Sequence, residues 1–132
     1  MTEPTYYVSF WFREVLVPVD GSESSMKALD LAVDFARRYG SRITVLTATR
    51  GDPSRIRSAV EARVGGRAPL QFKAVSLDEA TSPANEVLRE VGSGKYDAVI
   101  MGARGLTVSD VNIGSTAMAV VANAPVTVII VR

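Results

Sequence analysis

A handful of residues in this chain have the types and spacing to hold a phosphate. Gly102 ends the apolar run Ala98 to Met101, and Gly105 follows three residues later. Gly114-Ser115 then stands just before a hydrophobic helical run that opens at Thr116. Glycines let a backbone come close to an anion, and a helix start offers N–H groups at the positive end of its dipole. Far upstream, another strand-like run ends in Pro18-Val19-Asp20-Gly21-Ser22, which sets a carboxylate at a strand end. A lone pair of glycines after a strand is what any turn would carry. Joined to the helix start at Gly114 and to Asp20 on another strand end, the pair reads as a nucleotide site.

Several of these residues admit a second role. Asp20 either contacts a ligand or shapes an Asx-turn or cap leading into the next helix. Arg104 has either phosphate or solvent as its natural neighbour. Ser115 can cap the last helix and serve a phosphate at once, since both roles use the same orphan N–H groups. Asp110 and Asn112 read as turn formers.

Composition removes whole classes of chemistry. The 132 residues contain no cysteine and no histidine, so thiol nucleophiles, thiolate zinc sites and the commonest general base are absent. Catalysis would have to run on carboxylates, hydroxyls, Lys or Arg, and a metal such as Mg²⁺. Lys27, Lys73 and Lys95 lie outside the candidate loops, and no water-activating base stands near them. The expectation is therefore not an enzyme, with slow hydrolysis of a bound nucleotide at most. A net charge of +1 gives no electrostatic case for nucleic acid or an anionic membrane. With 47% hydrophobic and 22% charged residues, the chain reads as one soluble domain. The N-terminus lacks the basic start and cleavage site of a signal peptide, and Thr116 to Val131 is broken by Asn123 and Pro125. The expected location is cytoplasmic, with no membrane partner.

The elements that must position these residues follow from periodicity. Residues 1–12 form an aromatic arm in which Tyr6, Val8, Phe10 and Phe12 alternate with Tyr7, Ser9 and Trp11; it reads as an added edge strand or as a patch for a partner subunit. Residues 13–132 form the domain. Glu14 to Val19 is a buried strand, apolar without alternation as a parallel strand covered on both faces should be. Ser22 or Ser24 caps a helix to Tyr39 with Met26, Leu29, Val33 and Ala36 inward, and Gly40 stops it. Arg42 to Ala48 is the second strand. Asp52-Pro53 opens a helix with Ile56, Val60 and Val64 inward. Leu70 to Leu77 alternates as an edge strand does. Ser82-Pro83 opens the next helix, with Ala84, Val87, Leu88 and Val91 inward. Ala98 to Met101 is the fourth strand. Thr116 to Ala124 is apolar nearly all round and is expected to be well buried. Pro125 ends it, and Val126 to Val131 is the fifth strand. The alternation βαβαβαβαβ defines a three-layer α/β/α domain with a parallel sheet. If the first and fourth strands are neighbours, the crevice between their C-terminal ends is the ligand site.

From about Arg13 to Arg132 the sequence resembles the universal stress protein family. The carriers are V-L-V-P-V-D-G-S-E-S-S with its A-L-x-L-A helix, D-A-V-I-M-G-A-R-G, the G-S-T that opens the last helix, and the closing A-P-V-T-V-I-I-V-R. The ATP-binding branch of that family spaces its glycines as Gly, two residues, Gly, nine residues, Gly-Ser/Thr. Here eight residues separate Gly105 from Gly114, one fewer than the pattern. The resemblance implies a Rossmann-like, adenine nucleotide alpha hydrolase-like sheet of five parallel strands in the order 3-2-1-4-5. It also implies a homodimer paired through the Val126–Val131 edge strand, and a ligand that is ATP, with Mg²⁺ or Mn²⁺. By position, Val19 and Asp20 would line the nucleotide, with Asp20 reaching ribose or a phosphate-bound metal, and Ala48 would contact adenine through its backbone. Gly102 and Gly105 would let the loop approach ribose and phosphate, while Gly114, Ser115 and Thr116 would bind the phosphates.

Three functions compete. The first is a regulatory, stress-response dimer that binds an adenine nucleotide. The second is an interaction module of the same fold without nucleotide, against which the retained Gly102, Gly105, Gly114 and Ser115 argue. The third is a metal-dependent nucleotide hydrolase built on Asp20, which would need a second carboxylate or a lysine at the crevice.

Overall fold

The computed structural model describes residues 12–104 and 113–132. Residues 1–11 of the expected arm, and Gly105, Asp110 and Asn112, lie outside the described residues. In chain order the elements are β1 (Glu14–Pro18), α1 (Glu23–Tyr39), β2 (Arg42–Thr49), α2 (Ser54–Val64), β3 (Leu70–Ser76), α3 (Pro83–Val91), β4 (Ala98–Gly102), α4 (Ser115–Asn123) and β5 (Thr127–Val131). The strands form one sheet in the order β3-β2-β1-β4-β5, every pair parallel. This is the expected order.

The sheet separates two cores, and strand alternation assigns side chains to them. Val15 and Val17 of β1 point into a cluster with Met26, Leu29 and Val33 of α1 and Val60 and Val64 of α2. Leu16, between them, points the other way, to a cluster with Val87 and Val91 of α3 and Ala117 and Val120 of α4. Both faces of β1 are thus covered, and Val15, Leu16 and Val17 are fully buried. This is why its sequence shows no polar alternation. Among the described residues β3 has a neighbour on one side only, and its own residues are half-buried or exposed throughout.

Local chemistry sets the element ends. The Ser22 hydroxyl accepts from the Ser25 N–H at 3.3 Å and caps α1, and Gly40 closes it with φ +80°, a conformation open to glycine. Ser82 caps α3 in the same way, with Pro83 as its first residue. At α2 the cap differs from expectation. Pro53 takes the cap position without a side-chain bond, and Asp52 instead accepts from the N–H and hydroxyl of Ser54, at 3.0 and 2.7 Å.

The last helix corrects a larger expectation. Only Ala117 and Val120 of α4 are buried, while Met118 and Val121 are 55% and 50% exposed. The helix lies over the β4–β5 end of the sheet, where β5 is the last strand among the described residues, and none of the described elements covers its far flank. Apolar composition alone did not distinguish burial in this domain from an apolar surface.

A polar clamp holds the start of β4. The Tyr96 hydroxyl donates to Glu90 at 2.7 Å, and Lys73 Nζ reaches the other Glu90 oxygen at 2.7 Å. Burial opposes ionisation of Glu90, but the hydrogen bonds from Lys73 and Tyr96 outweigh it and hold the carboxyl below its usual range. Burial and the Glu90 bond push Tyr96 up to about 12. A tyrosine that ionises near 10 in the unfolded chain stabilises the fold fully below that pH. That stability is lost as pH rises toward about 12. Urea midpoints of the unmodified chain should therefore fall more steeply across this alkaline window than those of Tyr96→Phe; parallel profiles would contradict the clamp.

Candidate nucleotide site

The crevice begins where β1 and β4 part. The ladder between β1 and β2 runs to Pro18↔Leu46 and is extended by the Val19 N–H to the Leu46 carbonyl at 2.9 Å. The ladder between β1 and β4 consists of Val15↔Ala98 and Leu16↔Val99. Pro18 has no N–H with which to carry it further. The chain leaves β1 for α1 on one face and β4 for α4 on the other, so the gap stays open at this switch point.

A cleft of about 290 Å³ occupies the gap. One wall is apolar: Pro18, Val19, Leu46, Pro83, Val87 and Met101. Ala48 stands at the rim of that wall, half-buried. Along β2, the Arg42 N–H and the Leu46 carbonyl both bond toward the β1 side, to Arg13 and Val19. Backbone groups alternate along a strand, so the N–H and C=O of Ala48 face that side as well. There β1 has already ended, and the pair looks into the cleft.

The other end is polar. Asp20 is exposed, and its Oδ1 accepts from the Ser22 N–H at 2.9 Å, so the Asx-turn is present. Gly114, Ser115 and Thr116 line the cleft opposite. The cap of α4 falls on Gly114, with no side-chain bond, rather than on Ser115. Ser115 is the first helical residue, exposed, with no capping duty for its hydroxyl. Helix geometry leaves the first-turn N–H groups without intrahelical acceptors, and no acidic residue sits in that turn. This end of the cleft suits an anion.

Gly102 and Arg104 enter by a different logic from the expected one. The α-carbon of Gly102 faces the first turn of α1: a Cβ there would lie 2.5 Å from Ser24 Oγ and 2.6 Å from the Ser25 nitrogen. The close approach that requires glycine is therefore to a helix of this chain. Arg104 is tied to the same turn, its carbonyl accepting from Ser24 Oγ at 2.6 Å and Ser22 Oγ at 3.3 Å. The Ala103 carbonyl accepts from the Gly114 N–H at 2.7 Å, and the Ala103 N–H donates to Val131 at 2.8 Å.

The cleft thus brings together Val19, Asp20, Ala48, Gly102, Arg104, Gly114, Ser115 and Thr116. Sequence reasoning missed its apolar lining, above all Leu46 and Met101, which were read only as residues of the second and fourth strands, and Pro83 and Val87 of α3, read as a helix start and an inward-facing residue. The available signal was position, since strand C-termini and the first turn of α3 share one end of the sheet. Among the described residues no group of three or more acidic side chains could hold a metal ion. Asp20 is a single carboxylate at the rim, so an ion would need a ligand's phosphates as well. No helix among the described residues is long and apolar enough to cross a membrane.

An open parallel sheet of order 3-2-1-4-5 with a cleft at its switch point belongs to the doubly wound α/β class of folds. Within that class, the model of the Universal stress protein family matches residues 12–132, and the chain belongs to that family. A curated relative from Thermus aquaticus, described as a universal stress protein in the QAH/OAS sulfhydrylase 3' region, is 28% identical over 136 residues, spanning 92% of this chain and 99% of its own length. Among solved structures, universal stress protein UspA from Lactobacillus plantarum superposes with a TM-score of 0.72 at 22% identity, covering 92% of this chain and 98% of its own. A universal stress protein in complex with cAMP gives 0.74 at 24% identity, covering 91% and 96%. One from Archaeoglobus fulgidus in complex with dAMP gives 0.68 at 18%, covering 92% and 98%. At these identities the structural likeness is one of fold.

Proposed function

We propose that the cleft binds an adenine nucleotide, ATP with Mg²⁺ or Mn²⁺, and that the chain works as a nucleotide-binding regulator in a stress response. One observation carries the reading: an apolar slot is bounded at one end by the outward backbone pair of Ala48 and at the other by the N-terminus of α4. The complexes of two family members with cAMP and dAMP support it. Adenine fits between Val19, Leu46 and Met101, with its N1 acceptor and N6 donor matched to the N–H and C=O of Ala48. Asp20 meets the ribose or a metal carried on the phosphates. Arg104, Gly105, Gly114, Ser115 and Thr116 serve the phosphates. Gly102 acts through the turn it packs on. With no lysine or histidine at the cleft to activate water, turnover is slow or nil.

The assembly is a homodimer paired through the Val126–Val131 edge. β5 is the terminal strand of the sheet, and the exposed Met118 and Val121 of α4 stand on that side of the domain. Residues 13–132 form the folding unit.

Isothermal titration with Mg·ATP and Mg·GTP tests the ligand. Guanine presents the reverse order, a donor at N1 and an acceptor at O6, so it leaves the Ala48 pair mismatched. ATP should bind at least about tenfold more tightly than GTP, the worth of a hydrogen bond or two. Equal affinities would remove the base-reading role of Ala48, and no heat with either would remove the nucleotide reading.

A further inference from the structure

We propose that Ser24 is the positioning residue of the phosphate end of this cleft. It fixes where the connection from β4 to α4 begins, and its contribution to binding falls on the phosphates rather than on the base. The proposal rests on the nucleotide reading above.

Two polar residues are buried in α1 beside Met26, Ala28, Leu29, Ala32 and Val33: Ser24 at 7% and Ser25 at 4% exposure. The Ser25 hydroxyl donates to the Ser22 carbonyl of its own turn at 2.9 Å, whereas that of Ser24 reaches out of the helix. A buried hydroxyl costs stability unless it is bonded. Its partners are both backbone groups of one distant residue: it donates to the Arg104 carbonyl at 2.6 Å and accepts from the Arg104 N–H at 3.3 Å. That double bond pattern fixes the peptide orientation of Arg104 as well as its place. Gly102 makes the approach possible, because any side chain there would collide with Ser24 and the backbone of Ser25. The Ser22 hydroxyl also donates to the Arg104 carbonyl, at 3.3 Å, while accepting from the Ser25 N–H as the α1 cap, so the Arg104 N–H is the group that Ser24 alone of these two serines serves.

The other end of the same connection is pinned separately, by the Gly114 N–H on the Ala103 carbonyl. Between them, Ser24 and Ala103 set the spacing of Arg104 from the start of α4. Both residues of that spacing line the polar end of the cleft, whereas Ala48 and the apolar wall belong to other strands. Loss of the Ser24 hydroxyl should therefore disturb one end of the cleft and leave the other intact. α1 itself should not suffer, since alanine is the better helix former.

The test compares the full chain with Ser24→Ala, in two measurements. Amide hydrogen exchange of the ligand-free proteins should show the Arg104 N–H exchanging about tenfold faster in the variant, the scale of one lost hydrogen bond. Calorimetric titration should show ATP bound about tenfold more weakly while adenosine changes by less than about twofold. Unchanged exchange at Arg104, or equal weakening of ATP and adenosine, would overturn the proposal, the latter because it would mark Ser24 as a general structural residue. If the unmodified chain binds neither compound, the nucleotide reading fails and Ser24 has no phosphate to position. The exchange rate would still report separately whether the Arg104 clasp exists.

Discussion

Gly102→Ala is expected to lower the stability of the domain by about 2 kcal/mol and to weaken nucleotide binding with it. Overpacking is usually relieved by moving the far end of a side chain, and here that route covers one contact only. Ser24 Oγ could rotate away, but the Ser25 nitrogen at 2.6 Å and the Ser24 carbonyl carbon at 2.7 Å are backbone atoms in the first turn of α1. Relief must therefore come from separating β4 from α1, which breaks the Ser24–Arg104 bonds and displaces Arg104 at the cleft. The urea midpoint should drop while the slope stays constant, because the same surface is exposed on unfolding. A variant as stable as the parent would show that β4 and α1 are not in the close contact described.

Leu46→Ala should cost more, about 3 kcal/mol. Leu46 is 2% exposed and sits in the core under α3 and α4, so truncation removes buried methyl groups and leaves a void. It is also part of the cleft wall, and its loss removes one of the surfaces against which a base would lie. The backbone bond from the Val19 N–H is untouched, so the strand end should keep its place. Leu46→Met, which roughly conserves volume, should cost less than about 1.5 kcal/mol and retain binding. If Leu46→Ala unfolds at the parental urea concentration, the core assignment of β2 is wrong.

Much of the fold was legible because its signals are local. Every strand and helix falls within a residue or two of the stretch its periodicity marked, and Ser22, Gly40 and Ser82-Pro83 mark ends that the backbone uses. The strand order is different in kind. Nothing in the period of Glu14–Pro18 says that its neighbours are β2 and β4; that order came from the family resemblance, and the sheet has it.

The site was half legible. Asp20, Gly114 and Ser115 announce themselves by standing at strand and helix ends, and the cleft gathers them. Gly102 was read for the right position and an incomplete reason. Its need for glycine comes from a helix whose first turn lies far away in sequence, and no local pattern records such a contact. The burial of α4 was misjudged for a related reason. Met118 and Val121 are apolar in the sequence whether a neighbour covers them or not, and they are exposed where β5 ends the sheet among the described residues.

The central claim is that this cleft holds an adenine nucleotide, and native mass spectrometry of freshly purified chain, with chromatography of the nucleotides released on denaturation, tests it most directly. The account predicts additional mass equal to one adenine nucleotide per chain, either as purified or after exposure to millimolar Mg·ATP. A chain that carries no such mass in either state, while remaining folded, would contradict it.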